Sequence, residues 1–549
     1  MLCLGLMLVE ILNLAFMNYS QRSHTNSIPS GMVTSPSALA SEIGASILRS
    51  GGNAVEAAVA VAIALGVTYP HFCGLGGDAF LLVSGKDGEV ISISGIGQSA
   101  RNITGYESQL PTRGPRSMLT SAGALSAYEN AFEYSCKKLH GRKRWKDLFD
   151  PSIELARNGF EISESERFWL GFREQEKSQL RDIFEHFTDP SGLPYKSEQY
   201  VRRADLAHTL SRVAHSGSQD FYMGELAKEF ACHFKEVGGP LDLDDLAITK
   251  ARVEPALKIR YRQGTLYAHP PPTQGVTTLE IMGILNQFDL QKIQEGSANH
   301  YHLLIEAIKL AFIDRNRFLG DPDFAYVPID WLLSLDHLKK LSQQVDLKKA
   351  RSWPDVFQRG DTVFVGTVDA MGNSVSLLAT VYFDWGSGVV IGDTGIIWHN
   401  RGAAFSLDPT HPNVLRPGKR PFHTLNPGLY LKDNGAKIIY GTQGADGQPQ
   451  TLAAILTRLI DYDMTPLTAL SSPRFLLGKT FSSSTENLKI EENVGASVMT
   501  SLELMDHKLE VLSALNPLMG HPGAILVDQQ GNVQGAHDPR SDGLAIKVS

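Results

Sequence analysis

Two hydrophobic periods alternate along this chain. Leu39, Ile43, Ile47 and Leu48 recur at helical spacing after Ser35 as N-cap and Pro36 in the first turn, and Gly51-Gly52 ends the run. Asn53 then caps a second helix, Ala54 to Leu65, which is apolar on nearly every side and is therefore expected to be deeply buried. A glycine-rich bend, Gly74 to Asp78, leads into period-two runs. Phe80 to Val83 and Val90 to Ile93 flank a Lys86-Asp87-Gly88 turn, a hairpin signature. Residues 125 to 250 read as mainly helical with polar faces, and Tyr301 to Phe318 as another amphipathic helix.

The character changes near residue 360. Thr362 to Asp369 and Ser374 to Val381 are β-rich runs joined by Met371-Gly372-Asn373, and Leu429 to Leu431 pairs with Lys437 to Tyr440 across Asp433-Asn434-Gly435. Thr451 to Tyr462 reads as a helix and Ala524 to Val527 as a late strand. Blocks of helix among hairpins predict an α+β fold with helices packed over antiparallel sheets. At 549 residues the chain is long enough for two to four domains or one large layered domain.

Composition narrows the function classes. Net charge is -8, and the basic cluster Lys137-Lys138 with Arg142-Lys143-Arg144 reads as a solvated face, so nucleic acid is not the expected partner. Cys3, Cys73, Cys136 and Cys232 form no CxxC pair, and the 17 histidines show no HExxH spacing, so no metal or other cofactor is expected. His300 and His302 read as solvent or core residues. Met1 to Phe16 is nearly all apolar but lacks a basic start, and it is short for a membrane span of ~20 residues. It has three readings: an over-long start before Met17, a degenerate export signal, or an anchor. A cytoplasmic protein without membrane attachment is expected, with export as the alternative.

The candidate chemistry sits at Gly360-Asp361-Thr362, where a polar segment meets a strand. A threonine hydroxyl is a poor nucleophile without a base. A chain break just before Thr362 supplies one on the same residue, an α-amine that titrates near ~8. Gly441 to Gly447 ends a strand and precedes a helix, so its backbone N–H groups are placed to meet a developing oxyanion. GxxxxGK[ST] is absent, which excludes a P-loop.

Five motifs in order resemble the gamma-glutamyltransferase family. Gly51 to Ala58 is similar to its GGNAVDAA signature, Gly74 to Gly77 to its SGIGG loop, and Pro270 to Gly275 to its PPPSSGG stretch. Glu306 to Pro322 is similar to EAxKLAxADRxxYLGDP, and Asp538 to Gly543 to the closing DPRxxG. The resemblance spans residues 31 to 548. It implies an αββα four-layer sandwich of the N-terminal-nucleophile hydrolase type, built from one self-cleaving precursor. Residues 1–30 form a leader outside the fold, 31–361 a large subunit and 362–549 a small one, retained as a heterodimer. By motif, cleavage falls between Asp361 and Thr362, and Thr362 is the nucleophile. Thr380 matches the threonine that hydrogen-bonds it, and Gly444 with Ala445 matches the oxyanion-hole glycine pair.

The substrate positions depart from the family. Its carboxylate-binding arginine falls at Ile96, with Arg101 five residues on; its amine-binding acidic residue falls at Ala404, its paired serines at His423 and Thr424, and a polar position at Tyr382. A free amino-acid head group needs an anion clamp and a cation partner. The segments Phe383 to Gly388, Arg420 to Pro427 and Asp446 to Gln450 resemble a branch of the family that includes oxamate amidohydrolase. That branch implies a small anionic amide as substrate, with Arg401 or Arg420 holding its carboxylate and His423 polarising the amide; Arg420 as a structural ion-pair residue and His423 as a satisfied pocket histidine are the alternatives. The alternatives are a gamma-glutamyl hydrolase or transferase acting on glutathione, with Arg101 as a rebuilt clamp, and an unprocessed, non-catalytic homologue.

Overall fold

The computed structural model describes residues 30–196, 199–353, 360–479 and 485–549. The apolar leader, Met1 to Phe16, lies outside them. No helix among the described residues is long and apolar enough to cross a membrane.

Two antiparallel sheets stack face to face. The first has seven strands in the order Leu544–Val548, Gly31–Ser35, Asp361–Val368, Ser374–Tyr382, Asp78–Ser84, Val90–Gly95, Arg252–Pro255. The second has six, in the order Val533–His537, Pro522–Val527, Lys437–Thr442, Gly428–Lys432, Gly264–Ala268, Leu257–Tyr261. Strand alternation separates the layers. On strand Asp361–Val368, Val363 and Val365 enter a core shared with helices, whereas Phe364 and Val368 enter the core between the sheets. The sheets approach closely around Phe364, because a Cβ at Gly441 or Gly523 would come within 2.3 or 2.6 Å of its ring.

Helices cover both outer faces, completing the αββα sandwich. Ala54–Thr68 lies on the seven-stranded sheet and is enclosed in turn by further helices, which explains its all-round apolar sequence. Asn53 and Glu56 close a capping box at its start. Gly275–Leu285, Ala298–Phe318 and Gln448–Ile460 cover the six-stranded sheet. His300 and His302 lie in this core layer, buried. The first predicted helix starts later than its pattern suggests. Gly31–Ser35 is a strand, Ser37 is the N-cap, and the helix runs Ala38–Arg49. The edge-on pairing of Gly31–Ser35 with Leu544–Val548 and Asp361–Val368 fixes those residues as extended before the helix begins.

Candidate active site

Thr362 is the second residue of strand Asp361–Val368 and is buried. Its hydroxyl accepts a hydrogen bond from Gln448 Nε2 at 3.3 Å. Gln448 opens the helix that follows the glycine loop, so the loop and the nucleophile are registered through one side chain.

The neighbouring strand carries a bulge opposite this point: the pairing of Ser374–Tyr382 with Asp361–Val368 shifts between Ala379 and Tyr382. The bulge places Tyr382 at φ 77°, a left-handed conformation that a bulky residue rarely adopts. Thr380 Oγ1 donates to the backbone carbonyl of Asp361 and accepts from Tyr382 N–H at 2.7 Å. In this uncut chain, then, Thr380 engages the carbonyl of the Asp361–Thr362 peptide rather than the Thr362 hydroxyl. Asp361 is itself buried. Its Oδ1 accepts from Gln443 Nε2, its Oδ2 has no partner among the described residues, and burial holds its carboxyl well above the usual carboxylate range.

The loop opposite adopts two successive left-handed residues, Gly444 at φ 132° and Ala445 at φ 46°. Glycine suits the first at no cost, whereas Ala445 costs about 1 kcal/mol. The second position of the oxyanion loop is thus held under strain. Gln274 Nε2 binds the carbonyls of Thr424 (2.7 Å) and Ala445 (2.9 Å), and Arg315 ties Gln274 Oε1 to Asp446. The N-terminus of helix Gln448–Ile460 follows directly and adds positive potential for an oxyanion.

The candidate substrate residues separate clearly. Arg401 is fully buried; among the described residues its Nε and Nη1 have no hydrogen-bond partner, and Nη2 reaches only Thr424 Oγ1, at 3.5 Å. Its guanidinium lies 4.1 Å over the Tyr382 ring, and that ring packs on Gly360. Burial lowers its pKa to about 10. Arg420, by contrast, is spent on Asp321, with bonds of 2.6 and 3.2 Å. Arg101 is a half-exposed residue bonded to Asp242, Asp244 and Asp245 around a helix start. Each already answers a carboxylate, although Arg420 Nη1 has no hydrogen-bond partner among the described residues. His423 is also engaged on both ring nitrogens, by Asp78 Oδ2 at 3.2 Å and Leu425 N–H at 3.4 Å. Burial holds its pKa down to about 3. It is a neutral, satisfied ring that orients the Asp78 network rather than an electrophile. Ile96 lies in the core between the sheets, and Ala404 packs with Tyr382 and Phe383, so the two family head-group positions are apolar.

Sequence reasoning gave no role to Gln443, Gln448, Gln274 or Asp78. The two glutamines that flank the glycine loop were its nearest visible signal. Two buried clusters elsewhere, His302-Glu306-His507 and Glu280-Asp314-His337, each bring three metal-type donors within 4.8 Å. The first is internally satisfied, with His302 Nδ1 2.8 Å from His507 Nε2 and Lys309 Nζ 2.9 Å from Glu306.

Beside the site lies a cavity of about 550 Å3, reaching from Asp361, Gly444 and Ala445 out to helix Glu164–Phe172.

The layered fold and a strand-start threonine facing a strained glycine loop define an autoprocessing hydrolase or transferase of the N-terminal-nucleophile type. Comparison with known proteins makes the class specific: the gamma-glutamyltranspeptidase family profile matches residues 40–548, and the chain belongs to that family. It is 39% identical over 520 residues to the oxamate amidohydrolase proenzyme of Klebsiella pneumoniae, covering 94% of this chain and 98% of that protein. It is 38% identical over 532 residues to the glutathione hydrolase-like YwrD proenzyme of Bacillus subtilis, with the same coverages of 94% and 98%. Among solved structures, cephalosporin acylase from Bacillus halodurans superposes with a TM-score of 0.86 at 30% identity, covering 96% of this chain and 98% of that one.

Proposed function

We propose that the protein cuts itself between Asp361 and Thr362 and then hydrolyses a small amide bearing a carboxylate, oxamate being the type substrate. The observation that carries the substrate reading is Arg401, a buried guanidinium whose Nε and Nη1 have no partner among the described residues and which lies over the Tyr382 ring that packs on Gly360. An unpaired buried cation is costly and is retained where an anion completes it.

In self-cleavage, Thr362 Oγ attacks the Asp361 carbonyl carbon. Thr380 is already bonded to the oxygen that gains charge. The C–N bond breaks, the acyl group passes to Oγ, and the nitrogen becomes the α-amine of Thr362. The proton that leaves Oγ ends on that nitrogen, so the shift balances, and burial holds the adjoining Asp361 carboxyl well above the usual carboxylate range. Water then cleaves the ester and frees the threonine. In turnover the α-amine takes the hydroxyl proton, Oγ attacks the amide, and the Gly444 and Ala445 N–H groups meet the oxyanion. Amine leaves, and water releases the acid. Arg401 holds the substrate carboxylate and Thr424 lies beside it.

A gamma-glutamyl head group is disfavoured because Ile96 and Ala404 leave its carboxylate and amine without partners. The test is ammonia release from oxamate beside release from γ-glutamyl-p-nitroanilide. Oxamate turnover by wild type, with KM raised about 100-fold in Arg401→Gln at similar self-cleavage, is expected. Turnover of the anilide with none of oxamate would transfer the protein to the glutathione-acting reading.

A further inference from the structure

The cavity has a composition that the carboxylate site does not. Its lining includes the scissile Asp361 and the loop residues Gly444 and Ala445, but neither Arg401 nor Thr424. It therefore adjoins Asp361, on one side of the scissile peptide, while excluding the proposed acid clamp, which leaves it the part of the substrate beyond the amide nitrogen. One wall is aromatic. Phe168, Trp169 and Phe172 come from a single helix, and Phe168 and Phe172 are 56% and 40% exposed. Leu476 and Leu518 face in from other elements.

The charged side chains Arg540, Asp542 and Glu164 of the lining already have partners. Arg540 is bound by Glu491 at 2.6 Å and by Asp538 at 3.2 Å, and Asp542 accepts from Tyr69 and from Ser165 N–H. Glu164 pairs with Arg167 at 2.9 Å. One polar side chain has no partner among the described residues: His521, 7% exposed, with Nδ1 and Nε2 both unbonded. Burial lowers its pKa to about 4, so the ring is neutral and offers one donor and one acceptor.

We infer that this cavity is a leaving-group subsite for an uncharged aromatic or branched apolar amine, with the Phe168–Phe172 helix as its wall and His521 as its polar anchor. It rests on Thr362 and Arg401 acting as proposed above. The substrate class is then an N-substituted oxamate-type amide: carboxylate on Arg401, apolar amine in the cavity. Ammonia, the leaving group of oxamate itself, fills almost none of about 550 Å3. A dipeptide leaving group would bring charges that the cavity does not answer.

Two measurements separate this inference from the reading it rests on. First, kcat/KM for N-benzyloxamate and for oxamate is measured on the self-cleaved protein, wild type and Phe168→Ala. N-benzyloxamate favoured at least tenfold, with that ratio falling about tenfold in Phe168→Ala, is expected. Oxamate turnover with a ratio near one, or a ratio untouched by Phe168→Ala, overturns the subsite and leaves the nucleophile standing. Second, benzyl alcohol, a neutral probe of the same aromatic group, is titrated calorimetrically into uncut Thr362→Ala protein, where no chemistry is needed. Binding that weakens in Phe168→Ala and in His521→Ala supports the subsite even if neither amide is turned over. Absence of binding heat in a folded protein overturns it.

Discussion

The two ends of strand Asp361–Val368 obey different rules. Toward Val368, side chains alternate between a helical core and a sheet–sheet core, every strand pair keeps register, and the neighbours are apolar. Toward Asp361, the pairing slips, Tyr382 and Ala445 are left-handed, burial pushes a carboxyl well above its usual range, and two nitrogens of the Arg401 guanidinium lack partners among the described residues. One end spends its residues on stability. The other keeps strain and unsatisfied polar groups that only a substrate or a bond cleavage would relieve.

The sharpest way to break the comparison is Thr362→Ala. A single uncut chain is expected, with amide hydrolysis down at least about 10^4-fold and melting temperature little changed. Fragments still beginning at residue 362 would remove Thr362 from the mechanism. Next comes Arg420→Met, at a paired arginine outside the chemistry. Stranding Asp321 is expected to cost about 3–5 kcal/mol in urea unfolding of the uncut protein. A near-zero cost would mean that Arg420, like Arg401, is held in reserve.

Leu377→Ala probes the regular end. It should cost about 3 kcal/mol while self-cleavage still proceeds, and loss of cleavage at full fold would couple ends that are here held separate. Proton linkage gives a smaller effect. Burial lowers His269 and His423 to about 3 in the folded chain, so the unfolded chain, titrating near ~6.5, binds more protons below that pH. Their contribution is complete above about pH 6.5 and shrinks as pH falls toward 3. Unfolding free energy should therefore drop by at least about 2 kcal/mol between pH 7 and pH 5, and a flat profile would contradict neutral burial. Smallest is Ala445→Gly, expected to stabilise by about 1 kcal/mol or less, since the left-handed strain is released against added chain entropy. A clear loss of stability would show that the Ala445 methyl packs usefully.

The regular end was legible in the sequence because alternation and helical spacing report burial directly. Ala54–Thr68 and the Asp433-Asn434-Gly435 hairpin are read from their own residues. The roles proposed for Asp361, Thr362, Gly444 and Ala445 came from glycine spacing and family resemblance. The arginines were not. Arg101, Arg401 and Arg420 look alike in a sequence, and what separates them is whether a carboxylate more than eighty residues away arrives beside them. Asp242 and Asp321 do so for two of the three. His521 was equally silent, since an unbonded ring nitrogen is a property of the assembled cavity.

The strand order carries one further consequence. Gly31–Ser35 lies between Leu544–Val548 and Asp361–Val368, while Ser374–Tyr382 borders Asp78–Ser84. A cut before Thr362 therefore does not divide the molecule into two bodies: each fragment would be threaded through the other's hydrogen-bond ladder. Neither piece could be exchanged between molecules or replaced separately without global unfolding, so the break would be irreversible in practice. A cell could discard such a protein whole but could not reset it.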